Sequence, residues 1–257
     1  MRRDFGPADL KPLLAENGFG GSVAVQAREM QKETDYLLDL ASREPFILGV
    51  VGWIDLCDAD AERQLDRYSA SPRLKGLRML IHDRADIEFA ATASHVRGVG
   101  LLETYNLTYD LLLRPQYINA AIHLVDRCPR QRFVVDHIAK PNIKLGEMEP
   151  WLGRLRELAK RPNVYCKLSG MVTEADWSTW RPQDLHPYLD SVLEAFGAAR
   201  LMVGSDWPVS TCAASYGEAV RVVVDWTARL STDEREAILG RTCSGFYDLG
   251  VIAHPPL

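Results

Sequence analysis

The chain has 257 residues, of which 30 are Lys or Arg and 35 are Asp or Glu, so its formal net charge is −5. It is 47% hydrophobic and 25% charged, and these ordinary globular values exclude a disordered chain, a collagen and a coiled coil. The mildly acidic balance and the lack of a dense Lys/Arg run argue against nucleic acid and an anionic membrane as partners. A small molecule is the expected partner, and a homo-oligomer stays open.

The sequence carries no signal for a membrane or for export. No uncharged stretch approaches the ~20 apolar residues that span a bilayer, and the start MRRDFGPADL lacks the apolar segment of a signal peptide. Five widely spaced cysteines without a C-x-x-C pair fit neither a disulfide framework nor a structural zinc site. These features predict a cytoplasmic protein with reduced cysteines.

The chain opens with a helix signal over 7–17, where Pro7 stands in the first turn. Seven short apolar runs follow, each with a segment of helical spacing after it. The predicted strands are 21–27, 46–55, 74–82, 107–114, 132–138, 163–170 and 200–207. The later predicted helices are 30–43, 58–70, 86–104, 115–128, 148–160, 182–196, 215–230 and 232–240. This alternation predicts parallel βαβ units in one α/β domain over 1–257.

The number of predicted strands is unusual for this class. A closed (β/α)8 barrel needs eight strands, and the chain begins with a helix where a first strand would stand. The sheet is therefore either open, or its first strand is missing from this sequence.

Polar side chains stand where several predicted strands end, which is where parallel α/β folds bind ligands. Asp206 lies in Gly204-Ser205-Asp206-Trp207-Pro208, and His137 ends Val134-Val135-Asp136-His137. On a strand, alternate positions place Asp206 on one face with Met202. Taken alone, Asp206 is better explained as a turn or cap and His137 as a hydrogen-bonded structural residue. Together they offer the two titratable groups that general acid–base catalysis needs.

Four cations lie in or just after predicted strands: Arg78, Arg114, Lys140 and Lys167. Burying a cation is costly unless an anion pairs with it, so these residues could bind a substrate carboxylate or stabilise an oxyanion. The alternative is internal pairing with Asp55, Asp110, Asp136 or Asp206, and both can hold at once. The remaining histidines outside strand ends, His95, His123, His186 and His254, are predicted to be exposed.

Several segments occur in an order that is characteristic of a known family. They are Val25-Gln26-Ala27, Gly49-Val50-Val51-Gly52-Trp53-Ile54-Asp55, Gly76-Leu77-Arg78, Thr108-Tyr109-Asp110-Leu111, Asp136-His137-Ile138-Ala139-Lys140-Pro141, Lys167-Leu168-Ser169-Gly170 and Gly204-Ser205-Asp206-Trp207-Pro208. Over essentially its whole length the chain resembles the amidohydrolase-related (amidohydrolase 2) family. More narrowly, it resembles the sugar-lactone and pyrone-dicarboxylate lactonases of that family.

The resemblance implies a (β/α)8 TIM barrel that hydrolyses a ring ester or a related bond. Asp206 matches the acid that deprotonates the attacking water, and His137 matches the histidine that polarises the carbonyl or holds a metal. The expected substrate-binding residues are Arg78, Lys167, Trp53, Gln26, His82, Arg114 and Trp207. The enzyme would need no cofactor, or one Zn²⁺ or Mn²⁺ ion held by His137 and Asp206. Tyr109-Asp110 replaces a histidine of binuclear relatives, which argues against two metals.

Two departures from the family pattern affect this interpretation. Family members open with a strand that carries H-x-H, and this chain starts at Met1-Arg2-Arg3-Asp4-Phe5, just past that point, which would account for seven strands. Met79-Leu80-Ile81-His82 also differs, and the role of His82 is open. The leading hypothesis is hydrolysis of an acid-bearing lactone. The alternatives are amide hydrolysis, decarboxylation, or a non-catalytic incomplete barrel with exposed edge strands.

Overall fold

The computed structural model describes residues 3–250, and its centre is one sheet of seven parallel strands. Neighbouring strands in the sheet are also neighbours in sequence, from the first to the last. The strands are β1 Ser22–Val25, β2 Ile47–Gly52, β3 Leu74–Met79, β4 Thr108–Leu111, β5 Phe133–Val135, β6 Val164–Leu168 and β7 Leu201–Val203. Every predicted run contains a strand, so the predicted parallel α/β class is confirmed.

One helix precedes the sheet and the others connect or follow its strands. They are α1 Pro7–Glu16, α2 Gln31–Arg43, α3 Ala61–Ser69, α4 Ala93–Leu101, α5 Ile118–Arg127, α6 Trp151–Ala159, α7 Met171–Glu174, α8 Pro182–Phe196, α9 Tyr216–Trp226, α10 Thr232–Glu236 and α11 Thr242–Phe246. A π-helical turn, Ala237–Arg241, joins α10 to α11. Helix α7 was not predicted, because its four residues are too few for a periodic pattern.

The strands are apolar on both faces because both faces are covered. Val50 and Val51 are neighbours in β2, so their side chains point to opposite sides of the sheet, and both are fully buried. Val134 and Val135 of β5 are also neighbours that point to opposite sides of the sheet, and both are fully buried. Burial on both faces is typical of a parallel sheet with helices outside and packed side chains inside.

The sheet is curled but does not close within residues 3–250. There, β1 pairs only with β2, and β7 pairs only with β6, so the barrel is one strand short of eight. Helix α1 packs over the outside near both edges. Its Leu14 forms an apolar cluster with Tyr216 of α9, and Phe46 beside β2 packs against the same cluster. The prediction of a TIM-type barrel that lacks a strand is confirmed.

The predicted strand ends were too long at the functional edge. β5 ends at Val135 and β7 at Val203, so His137 and Asp206 lie beyond the regular strands. Both residues have positive φ angles, 52° and 54°. The alternation of side chains along a strand therefore does not set the direction of either side chain. The prediction that Asp206 shares a strand face with Met202 was wrong, because Asp206 is not part of the strand.

The predicted exposure of His95 was also wrong. Its ring is fully buried, with Nδ1 3.0 Å from the Ala90 carbonyl oxygen and Nε2 2.8 Å from the Tyr109 hydroxyl. Burial lowers the pKa of His95 to about 4. Exposure was predicted because the neighbours of His95 in sequence are polar, but His95 lies on the buried side of α4 with Val99.

Other sequence predictions have mixed outcomes. His123 is exposed and His186 half-buried, while His254 lies outside the described residues. All five cysteines are free, and Cys128 and Cys166 are buried. Among residues 3–250, no helix combines the length and the apolar character that crossing a bilayer requires.

Candidate active site

His137 and Asp206 meet at the carboxyl edge of the sheet and are called the catalytic pair below. His137 follows β5 and Asp206 follows β7, and their Nε2 and Oδ1 atoms are 3.5 Å apart. Their side chains are 12% and 15% exposed, so both reach the surface of the site without being free in solvent. The Nδ1 atom of His137 lies 2.8 Å from the hydroxyl oxygen of Ser169.

An unusual backbone turn places the imidazole of His137. Four consecutive non-glycine residues, from His137 to Lys140, have φ angles between 46° and 60°. The left-handed region costs such residues roughly 1–2 kcal/mol each. Strain of this kind persists only where the surrounding structure enforces it, and it concentrates at functional sites. The left-handed turn from His137 to Lys140 is therefore held by tertiary contacts at this edge of the sheet, next to Asp206.

Gly170 makes room for that imidazole. It follows β6 with φ +67°, and a Cβ atom added there would lie 2.8 Å from Cβ, Cγ and Nδ1 of His137. No other residue fits that contact without displacing the ring, and φ +67° also favours glycine. The sequence Lys167-Leu168-Ser169-Gly170 thus supplies both the hydrogen-bond partner of His137 and the space that its ring occupies.

The protonation state of His137 follows from its surroundings. Burial lowers the pKa of His137, although the charges of Asp206 and Asp136 act to raise it. The imidazole is therefore neutral at pH 7 and carries one proton. Because a carboxylate only accepts hydrogen bonds and a hydroxyl can donate, we assign that proton to Nε2, which faces Asp206, while Nδ1 accepts from Ser169.

Beneath the catalytic pair lies a network of four buried charged side chains and one tyrosine hydroxyl, called the ion network below: Arg78, Asp110, Asp136, Lys167 and Tyr247. Lys167 Nζ is 2.5 Å from Asp110 Oδ2 and 2.7 Å from Asp136 Oδ1. Arg78 Nη1 donates to Asp136 Oδ2 at 2.7 Å. The Tyr247 hydroxyl lies 2.9 Å from Asp110 Oδ2.

The pKa values of the two carboxyl groups in the ion network reflect both their burial and their pairing with cations. Burial raises the pKa of Asp110 to about 6, although Lys167 acts to lower it. Burial also acts to raise the pKa of Asp136, but the charges of Lys167 and Arg78 outweigh it and lower that pKa below its ordinary value. Internal pairing, the alternative considered for Arg78 and Lys167, therefore occurs. Direct contact of these cations with a substrate stays a prediction.

A second, looser group of charges surrounds His82. Arg114 Nη1 and Lys140 Nζ lie 3.7 and 3.8 Å from the carboxylate oxygens of Glu174, too far for good hydrogen bonds. These three residues line a cleft of about 500 Å³. Burial lowers the pKa of His82 to about 4, with help from Lys140 and Arg114 and against Asp83. His82 is therefore a neutral ring among charges of both signs, with Asp83 Oδ2 3.0 Å from its Nε2.

Four predicted substrate-binding residues carry buried polar atoms that have no partner among the described residues. They are Gln26 Oε1, Trp53 Nε1, Arg78 Nε and His82 Nδ1. A buried polar atom without a partner costs roughly 1–3 kcal/mol, so it calls for an explanation. The hydroxyl groups of a bound ligand would supply the missing partners. Trp207 differs, because its ring packs at 5.4 Å on the ring of Phe5, and its contact with substrate stays a prediction.

Sequence reasoning did not select three residues that shape this site. Ser169 and Gly170 were visible only as part of the motif Lys167-Leu168-Ser169-Gly170, and Glu174 gave no signal, because α7 was not predicted. Glu174 matters since it faces both Arg114 and Lys140. Its position depends on a tertiary contact that no local pattern records.

The described residues supply part of a metal site. A catalytic zinc ion takes three protein ligands and an open position. His137 Nε2 and Asp206 Oδ1 could contact one ion, but residues 3–250 contain no group of three or more His, Cys, Asp or Glu placed to hold one. On their own, these residues therefore do not fit a complete catalytic metal centre.

The sequence model of the amidohydrolase family matches residues 1–249. The chain belongs to this family. It is 39% identical over 252 residues to the L-fucono-1,5-lactonase of Burkholderia ambifaria, covering 95% of this chain and 86% of that protein. The L-fucono-1,5-lactonase of Burkholderia multivorans is also 39% identical, over 97% of this chain and 88% of that protein. The expected hydrolase class and the resemblance to sugar lactonases are confirmed.

Solved structures agree in fold. An amidohydrolase of Burkholderia multivorans with bound HEPES superposes with a TM-score of 0.91 at 39% identity, covering 96% of this chain and 89% of that chain. A second structure, described as containing bound zinc, gives a TM-score of 0.90 at 40% identity with the same coverage. A Pseudomonas putida protein assigned as a 2-pyrone-4,6-dicarboxylic acid hydrolase, at 22% identity and a TM-score of 0.79, shares the fold.

Proposed function

We propose that this protein opens the ring ester of a sugar acid, and that its substrate is a 1,5-lactone of a deoxy sugar acid such as L-fuconate. Two similar relatives carry the name L-fucono-1,5-lactonase. The observation that carries the proposal is the catalytic pair, a neutral imidazole 3.5 Å from a carboxylate at the edge of a family-type barrel. Such a pair contains both a base and a hydrogen-bond donor.

Hydrolysis of a lactone needs a proton acceptor and a stabiliser of negative charge. The Asp206 carboxylate takes a proton from water as the water oxygen bonds to the carbonyl carbon. The Nε2–H of His137 donates to the carbonyl oxygen, which becomes an oxyanion. The ring C–O bond then breaks, and its oxygen receives the proton from Asp206. The product is an open hydroxy acid, which releases one proton at neutral pH.

The remaining residues bind the substrate. Gln26 Oε1 accepts from a substrate hydroxyl and Trp53 Nε1 donates to one, because both atoms are buried without a partner among the described residues. Arg114 and Lys140 interact with the carboxylate that ring opening creates, since Glu174 holds neither of them closely. An acid-bearing lactone would engage the same two cations before the reaction.

Two versions of this enzyme differ in their need for a metal. In one, His137 and neighbouring cations polarise the carbonyl without a cofactor. In the other, His137 and Asp206 would hold one Zn²⁺ or Mn²⁺ ion in part, since residues 3–250 do not supply a full set of ligands, and the ion would supply Lewis-acid activation of the carbonyl or of water. A homo-oligomeric state, a single domain over 1–257 and a cytoplasmic location stay predictions.

The test is a proton-release assay of the 257-residue protein on L-fucono-1,5-lactone, a sugar γ-lactone and a pyrone dicarboxylate. Each substrate is assayed after chelator dialysis and again with added Zn²⁺ or Mn²⁺. We expect the highest kcat/KM with the 1,5-lactone and loss of activity in Asp206→Asn. Absence of activity on every lactone would overturn the proposal and favour amide hydrolysis, decarboxylation or a non-catalytic barrel.

A further inference from the structure

A second cleft lies outside the residues assigned to catalysis. Its volume is about 690 Å³, within the range of small-molecule sites. One wall is the segment between α7 and α8, which carries Trp177 and Trp180. The other walls are the first turns of α8 and one side of α9. None of the residues proposed above to bind or transform the lactone lines this cleft.

Two tryptophans give the cleft a fixed aromatic wall. Trp177 is 58% exposed, although its Nε1 donates to the Thr173 carbonyl at 2.9 Å. Trp180 Nε1 donates to the Ala213 carbonyl at 3.0 Å. These hydrogen bonds hold both indoles by their polar ends and leave ring surface available for a ligand. A large exposed apolar side chain next to a cleft is a feature of binding sites.

The polar side chains opposite the tryptophans have no other role among the described residues. Arg221 and Asp225 lie four residues apart on α9, and Gln183 and His186 lie on α8. In the part of the chain from residue 3 to 250, none of these four side chains makes a hydrogen bond or an ion pair. By contrast, Glu218 of the same cleft is engaged, since it accepts from the Ser215 backbone and hydroxyl.

A proline interrupts the hydrogen bonding of α8 close to the cleft. Pro187 lies inside α8 and has no N–H group. In a regular helix, residue 187 would donate to the carbonyl of Gln183, four residues earlier. That carbonyl therefore lacks its usual donor, and Gln183 lines the cleft.

These features favour a neutral ligand with many hydroxyl groups. One cation, Arg221, and one anion, Asp225, give the free side chains no excess of charge, so they do not select an anion. Neighbouring donors and acceptors suit hydroxyl groups, which do both, and an indole face suits the C–H face of a sugar ring. We propose that this cleft is a binding site for a neutral monosaccharide, separate from the catalytic site.

The proposal is tested with L-fucose and D-galactose as neutral probes and with sodium L-fuconate as the charged one. The probes are titrated into the full chain labelled with ¹⁵N, and the indole N–H signals of its six tryptophans are followed. We expect the signals of Trp177 and Trp180 to shift with a neutral sugar and to saturate with a Kd of about 1–10 mM.

Matched variants locate the binding. Trp177→Ala and Arg221→Met should weaken binding at least ~10-fold, while Tyr36→Ala, which removes a 53% exposed aromatic side chain on α2, should leave the Kd unchanged. Asp206→Asn should also bind the sugar normally, which separates this cleft from the catalytic site. The proposal is overturned by any of three results: no shift with neutral sugars, tighter binding of fuconate than of fucose, or unchanged binding in Trp177→Ala.

Discussion

The ion network and the catalytic pair use the same kinds of residue in opposite ways. In the ion network, Lys167 Nζ lies 2.5 and 2.7 Å from two carboxylates, and the side chains extend from regular strand positions such as those of Arg78 and Asp110. In the catalytic pair, the closest atoms are 3.5 Å apart and both residues follow their strands in left-handed conformations. Tight pairing neutralises buried charge, whereas loose pairing leaves a base and a donor available to a substrate.

The contrast between the ion network and the catalytic pair requires that the loosely paired Asp206 is needed for catalysis. Asp206→Asn removes the base but keeps size and shape, and Asn tolerates a left-handed backbone. We expect kcat for L-fucono-1,5-lactone to fall by about 10²–10⁴-fold, the usual contribution of general acid–base catalysis. Steady-state proton release measures this loss.

The matched control for that experiment is Asp248→Asn. Asp248 also has a left-handed backbone, with φ 49°, but it is exposed and is assigned neither to catalysis nor to substrate binding. It should retain full activity. Equal kcat values in Asp206→Asn and the wild-type protein would remove Asp206 from the mechanism.

The tightly paired Lys167 should affect stability more than chemistry. Lys167→Met leaves Asp110 and Asp136 buried without their shared cation, and breaking a buried pair in this way costs about 3–5 kcal/mol. A urea unfolding curve should show this loss as a lower midpoint. Lys144→Met, which removes an exposed partner of Asp176, should leave the midpoint unchanged.

A different result would assign Lys167 to substrate binding instead of to the stability of the ion network. If Lys167→Met unfolds at the wild-type urea midpoint while KM for the lactone rises, Lys167 binds substrate and its pairing with the two carboxylates is secondary. The contacts of Lys167 with Asp110 and Asp136 would then belong to the free protein, and the substrate would rearrange them.

Gly170 tests how the two regions are joined, because it follows the strand of Lys167 and packs under His137. In Gly170→Ala, the added Cβ would meet the imidazole at 2.8 Å in a left-handed conformation. We expect a stability loss of about 2–3 kcal/mol from overpacking and backbone strain, together with a fall in kcat of roughly 10-fold or more.

Gly146→Ala provides the matching backbone control. Gly146 has the same φ of +67°, but an added Cβ would meet nothing within 4 Å. It should show only the smaller backbone cost and retain kcat. If both variants lose the same stability and keep full activity, the contact between Gly170 and His137 does not position the ring.

Local sequence predicts the strands and the meeting of His137 with Asp206, but not the backbone turn that orients His137. Apolar runs locate all seven strands, because strands covered on both faces need continuous apolar side chains. The convergence of His137 and Asp206 follows as well, since the carboxyl ends of parallel strands share one edge. The left-handed turn at His137 could not be predicted, because non-glycine residues adopt it only when tertiary contacts enforce it.

Burial is the second feature that local patterns missed. The sequence around His95 is polar enough to suggest an exposed ring, yet the neighbouring Tyr109 hydroxyl and Ala90 carbonyl satisfy both of its nitrogens inside the protein. Glu174, in the short helix α7, shows the same limitation, since its two cations follow other strands. Such partners become visible only when the sheet order is known.

The smallest expected effect concerns His95, a tightly bonded histidine that contrasts with His137. The pKa of His95 is about 4 in the folded protein and 6.5 in the unfolded chain. Between these values the unfolded state binds more protons, so stability falls as pH decreases from 6.5 toward 4. On this basis His95 lowers the free energy of unfolding by roughly 1–2 kcal/mol between pH 7 and pH 5.

His95→Gln keeps hydrogen-bonding groups at this position but cannot be protonated. Whatever stability the variant loses at pH 7, its urea midpoint should depend less on pH between 7 and 5 than that of the wild-type protein. His123→Gln, at an exposed position on α5, should keep the wild-type dependence. A wild-type slope in His95→Gln would mean that another group, such as His82 with its pKa of about 4, causes the acid sensitivity.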